Sequence, residues 1–82
     1  MPKDTKNVET ISVANSSVIE EVGYDSVLQD LFVRFKGGKV YMYLDVPPEI
    51  YGKFKELVQN QESVGKFFSK NVRGKFSSML VK

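Results

Sequence analysis

Two alternating runs on either side of Gly37-Gly38 constrain this chain more than any other feature. Leu31, Val33 and Phe35 alternate with Phe32, Arg34 and Lys36. Beyond the glycines, Val40, Met42, Leu44 and Val46 alternate with Tyr41, Tyr43 and Asp45. A period of two marks a strand with two unlike faces, and Gly-Gly takes the positive φ angles of a tight turn without steric cost. Residues 30–46 therefore predict a β-hairpin. A two-residue loop sets Phe35 opposite Val40, Val33 opposite Met42 and Leu31 opposite Leu44 on one face. Arg34 then lies opposite Tyr41, and Phe32 opposite Tyr43, on the other. A slip of one residue would mix the faces, so the pattern favours this register.

The flanking segments extend the sheet on one side and cover it on the other. Ile11 and Val13 alternate with Thr10, Ser12 and Ala14 as a short edge strand, and Asn15-Ser16-Ser17 punctuates by bonding its own backbone. Val18 to Tyr24 alternates again, with Val18, Glu20, Val22 and Tyr24 on one side and Ile19 and Glu21 on the other. Tyr24-Asp25-Ser26 reads as a turn held by the Asp25 side chain. Pro47-Pro48 ends the hairpin and opens a helix, on which Ile50, Tyr51, Phe54, Leu57 and Val58 form one apolar stripe. Glu49 and Lys53 are spaced as a solvent-side ion pair. Asn60-Gln61 breaks that helix.

Ser63 is placed to cap a second helix with the stripe Val64, Phe67, Phe68 and Val72, and Gly74 to stop it. Gly65 costs helix propensity and reads as a close-packing contact. The expectation is an α+β domain: a three- or four-stranded antiparallel meander followed by two C-terminal helices packed on one face. Residues 1–9 form a polar lead-in, 10–76 a single domain and 77–82 an apolar tail without an assigned docking site.

Size and composition narrow the chemistry. The chain has 82 residues with 41% apolar content, which suits one small globular domain. It contains neither Cys nor His. Disulfide frameworks, Cys/His zinc sites, thiolate nucleophiles and imidazole acid–base schemes are thereby excluded. No apolar run approaches the ~18–20 residues of a membrane span, and the polar start lacks the h-region of a secretory signal. The expectation is a cytoplasmic, non-catalytic binding module with no cofactor, no metal and no membrane partner. Asp30 and Asp45 face each other in the expected register. Their simplest reading is as turn caps at the end of the ladder; a cation between them is the alternative.

Charge is unevenly distributed. Residues 1–50 carry five Lys/Arg against eight Asp/Glu, whereas residues 51–82 carry seven against two. The basic part points to an anionic partner, or to weak self-complementarity with the acidic part.

Several of these residues recur together in one known family. In order they are Ser16-Ser17, Gly23-Tyr24-Asp25, Leu31-x-Val33-x-Phe35, Tyr41-x-Tyr43, Val46-Pro47, Ser63-x-Gly65-x-x-Phe68 and Val72-Arg73. The pattern resembles the KTSC family, small domains named after a segment at the C-terminus of some lysyl-tRNA synthetases. The likeness covers about residues 11–76, and Tyr41-x-Tyr43 followed by Val46-Pro47 is its most recognisable piece. The family includes stand-alone bacterial and phage proteins, and RNA binding has been suggested for it. The resemblance thus favours RNA over other ligands, while Ser69 and Phe76 depart from the family's pattern.

Two sets of residues are candidates for binding. Phe32, Arg34, Tyr41 and Tyr43 form the hairpin's second face, where rings and a guanidinium suit the stacking of unpaired bases. The ordinary alternative is that these rings are cross-strand pairs within the fold. Lys66, Lys70 and Arg73 form one stripe on the second helix, suited to phosphates; the alternative is a solvated helix face. Alternatively the chain is a protein-interaction or regulatory module, of phage or mobile-element type, that binds a partner or itself through the aromatic face or the 77–82 tail, as a monomer or weak homodimer.

Overall fold

The computed structural model describes residues 8–14 and 16–81. Five strands, β1 (Val8–Ser12), β2 (Ile19–Asp25), β3 (Asp30–Phe35), β4 (Val40–Tyr43) and β5 (Ser78–Leu80), form one antiparallel sheet in the order β1-β2-β3-β4-β5. Helices α1 (Pro48–Gln59) and α2 (Val64–Asn71) intervene between β4 and β5 and cover one face. The α+β architecture expected from the sequence is the one observed, enlarged by β5. The apolar tail supplies that strand by pairing Tyr41 with Leu80, Met42 with Met79 and Tyr43 with Ser78. Of the polar lead-in, residues 1–7 lie outside the described residues, and Val8 and Glu9 already belong to β1.

The central hairpin forms in a different register from the expected one. Leu31 pairs with Tyr43, Phe32 with Met42, Val33 with Tyr41 and Arg34 with Val40. The Phe35 amide donates to Lys39 O, so the loop holds three residues, Lys36-Gly37-Gly38, with φ of 106° and 100° at the glycines. This one-residue shift exchanges the faces of β4. Both of its alternations are apolar, so hydrophobicity alone does not choose between them. The rings decide it, because each aromatic buries far more surface than Val or Met. Tyr43 packs edge-on to Phe68, and Phe35 contacts both Tyr41 and Phe68 edge-on.

The core lies between this sheet face and the helices. Ile19, Val22, Leu31, Val33, Val46, Phe54, Val64 and Val72 are fully buried there. A register shift between Ile19 and Glu21 places Ile19, Val22 and Tyr24 together on the inner side. That bulge breaks the simple alternation expected for residues 18–24, and Val18 is exposed. Across β2, Gly23 sits beneath β1 so closely that a Cβ there would meet Thr10 Cγ2 at 3.1 Å and Glu9 O at 3.3 Å.

The helices begin as the sequence indicates. Pro47-Pro48 opens α1, which buries Tyr51, Phe54 and Leu57, with Ile50 and Val58 packed at the margin. Ser63 Oγ accepts from the Lys66 amide at 3.3 Å and caps α2, which buries Val64 and Phe68. Lys53 pairs with Glu56 at 3.6 Å rather than with Glu49. Asp25 Oδ1 accepts from the amides of Val27 and Leu28 at 3.0 and 3.1 Å, as its turn position suggests. No helix among the described residues is long and apolar enough to cross a membrane.

Candidate nucleic-acid interface

The four hairpin residues expected on one surface are divided between two. Phe32 and Arg34 lie on the uncovered face, where Arg34 Nε pairs with Glu21 Oε1 at 3.3 Å. Tyr41 and Tyr43 lie on the helix-covered face. Tyr43 is 6% exposed and belongs to the core, whereas Tyr41 is half-buried at its margin. The anticipated flat platform of two tyrosines, Phe32 and Arg34 therefore does not assemble. The shifted register is the cause, since it turns every odd-numbered residue of β4 inward.

Turning inward, Tyr41 and Tyr43 meet the second candidate set. An open cleft of about 1300 Å3 runs between the β3–β4 loop, the β1–β2 turn and α2. Phe35, Tyr41, Tyr43 and Phe68 line it together with Ser16, Ser63 and Gly65. Its charged lining consists of Lys36, Lys39, Lys66, Lys70 and Arg73, and none of the described residues lining it is Asp or Glu. The stripe Lys66, Lys70, Arg73 is therefore one wall of a concave site. Lys36 and Lys39 form part of another wall that the sequence reading missed. The only sequence signal for them was their position on either side of Gly37-Gly38, which places both at the same strand end as the turn after β1.

Local structure explains the shape. Ser16 Oγ accepts from the amides of Val18 and Ile19 at 3.1 and 3.0 Å, fixing the turn at the cleft's edge. Gly65 is not the tight contact expected of it: a Cβ there would meet nothing nearer than Ser16 Oγ at 4.0 Å. It keeps the space between α2 and this turn open. Burial is the main cause that pushes the Tyr43 hydroxyl above its ordinary pKa; Tyr41 adds to the shift and the Arg73 charge opposes it.

The opposite strand end has the opposite sign. Asp25 pairs with Asp30 across β2 and β3, so Asp30 faces Asp25 rather than Asp45 as expected. Burial, and then the charges of Asp25 and Asp45, raise the Asp30 pKa. Among the described residues, no group of three or more Asp or Glu gathers in a metal-ligating arrangement.

An open antiparallel sheet with a two-helix lid and a cation-lined cleft defines a small α+β domain. The family model of the KTSC domain matches residues 15–76, and the chain belongs to that family. Over 92% of its length it superposes on a KTSC domain protein of Yersinia pestis, covering 99% of that chain, with a TM-score of 0.78 and 32% identity. It is 42% identical over 64 residues to a protein of Tsukamurella paurometabola, of which it covers 90%. It is also 40% identical over 60 residues to a lysine–tRNA ligase of Nostoc punctiforme, and equally so to one of Trichormus variabilis. The match spans only 10% of each ligase. Several residues of the family pattern, Ser16, Ser17, Phe35, Tyr41, Tyr43, Ser63, Gly65, Phe68 and Arg73, line the same cleft.

Proposed function

We propose that the cleft binds single-stranded nucleic acid, RNA in preference, and that the domain acts as a non-catalytic binding module. The observation that carries this reading is the cluster of five cations with no carboxylate among the described residues of its lining, set around the half-buried ring of Tyr41. Five cations lining one cleft make its field positive, which favours an anionic ligand. A polyanion with planar bases fits both halves of the site. Lys36, Lys39, Lys66, Lys70 and Arg73 take phosphates, and Tyr41 offers a face or edge to a base. Phe32 and Arg34 lie outside this site. The presence of a similar segment in two enzymes named for tRNA favours RNA as the ligand.

Titration of a labelled single-stranded RNA at several salt concentrations tests the proposal. Affinity is expected to fall linearly on logarithmic axes, and Lys70→Gln or Arg73→Gln should each reduce the slope by about one. Absence of binding at low salt, or binding indifferent to salt, would overturn it.

A further inference from the structure

The backbone at the outer edge of β5 is organised for a second strand. The Leu44 amide donates to Ser77 O at 2.9 Å and the Val81 amide to Val40 O at 2.7 Å. With Met42 opposite Met79, these bonds place the amide groups of residues 77, 79 and 81 toward β4. The N–H and C=O groups of Ser78 and Leu80 therefore point away from the sheet. Around them Met79, Leu80 and Val81 are 50%, 54% and 53% exposed. An apolar edge with free backbone donors and acceptors is a template for strand addition.

The charge layout selects the occupant. β4, the neighbour of β5, runs from Lys39 at the basic strand end to Asp45 at the acidic one. When two copies pair β5 against β5 in antiparallel fashion, strand direction reverses. Asp45 of each copy then lies toward Lys39 of the other, twice over by symmetry.

We propose that this chain self-associates through β5 as a twofold dimer with one continuous sheet. Ser78 of each copy stands opposite Leu80 of the other, and Met79 lies on the axis. The pairing is isologous and closes at two copies. It buries little area, so it is weak, and the offset charges strengthen it at low salt.

Sedimentation equilibrium from micromolar to millimolar concentration tests the proposal, with hydrogen exchange at the Ser78 and Leu80 amides read in parallel. The mass is expected to rise toward twice the monomer and stop there, sooner at low salt, while both amides gain protection with concentration. Ser78→Pro and Leu80→Pro each remove an N–H that β4 does not use. Each should weaken association by about tenfold or more. A monomer at every concentration would overturn the proposal, as would growth beyond two copies. So would a dimer indifferent to both proline variants with unprotected Ser78 and Leu80 amides.

Discussion

Two aromatic clusters lie under the helical lid, and they are finished differently. At the acidic end Tyr24 and Tyr51 stack with ring centroids 5.2 Å apart, and the Tyr24 hydroxyl donates to Val46 O. Both rings are buried, and Lys55 sits over Tyr51 while pairing with Glu9 at 3.4 Å. At the basic end Phe35, Tyr41, Tyr43 and Phe68 meet edge-on and border the open cleft. The first cluster closes one end of the domain. The second serves as core on one side and borders an open cleft on the other. The same residue type is thus sealed into the core at one end and left half-open to solvent at Tyr41 at the other.

The comparison is broken most directly within the second cluster. Tyr43→Ala should cost about 3–5 kcal/mol in chemical unfolding, because it empties a core site. Tyr41→Ala should cost far less stability, yet weaken RNA by about 1–3 kcal/mol in the same titration. Equal losses of stability would place both rings in the core and remove the recognition half of the comparison.

Gly65→Ala sharpens it further. Alanine fits the available space and gains up to about 1 kcal/mol of helix propensity, so thermal unfolding should shift upward. The cleft narrows at the same time, and RNA affinity should fall. A variant that gains stability without losing affinity would separate Gly65 from the ligand.

The smallest effect belongs to the first cluster. The Tyr51 hydroxyl is buried beside the exposed Glu9 carboxylate without a well-aligned hydrogen bond among the described residues, and Tyr51→Phe should change stability at neutral pH only slightly. Its influence appears in alkali. Burial, then the nearby Glu9 charge and the contact of the hydroxyl with that carboxylate, push the Tyr51 pKa up to about 12 from 10.0. The unfolded phenol ionises first, so stability is intact below pH 10 and declines between pH 10 and about 12. Denaturant midpoints measured across that window should fall less steeply in Tyr51→Phe, and parallel slopes would refute this assignment.

The sequence exposed elements better than faces. Pro47-Pro48, the Ser63 cap, the Asp25 turn and the stripe Tyr51, Phe54, Leu57 are local signals, and each appears where expected. The register of the hairpin was not legible, because Val40/Met42 and Tyr41/Tyr43 are both plausible core sets. Their choice depends on Phe68, which lies far along the chain. The cleft was half legible for the same reason: Lys66, Lys70 and Arg73 share a segment, whereas Lys36 and Lys39 join them only through the sheet. β5 escaped because three residues are too few to show a period, and their partner strand lies beyond two helices.

The bare α-carbon at Gly23 has a mechanical consequence. Thr10 and the Glu9 carbonyl close over that position, so β1 is seated by the absence of a side chain as much as by its hydrogen bonds. A methyl group there would require Thr10 and the Glu9 carbonyl to give way by a few tenths of an ångström. The strain would fall on the pairing of β1 with β2 and on the Glu9–Lys55 contact that ties β1 to α1.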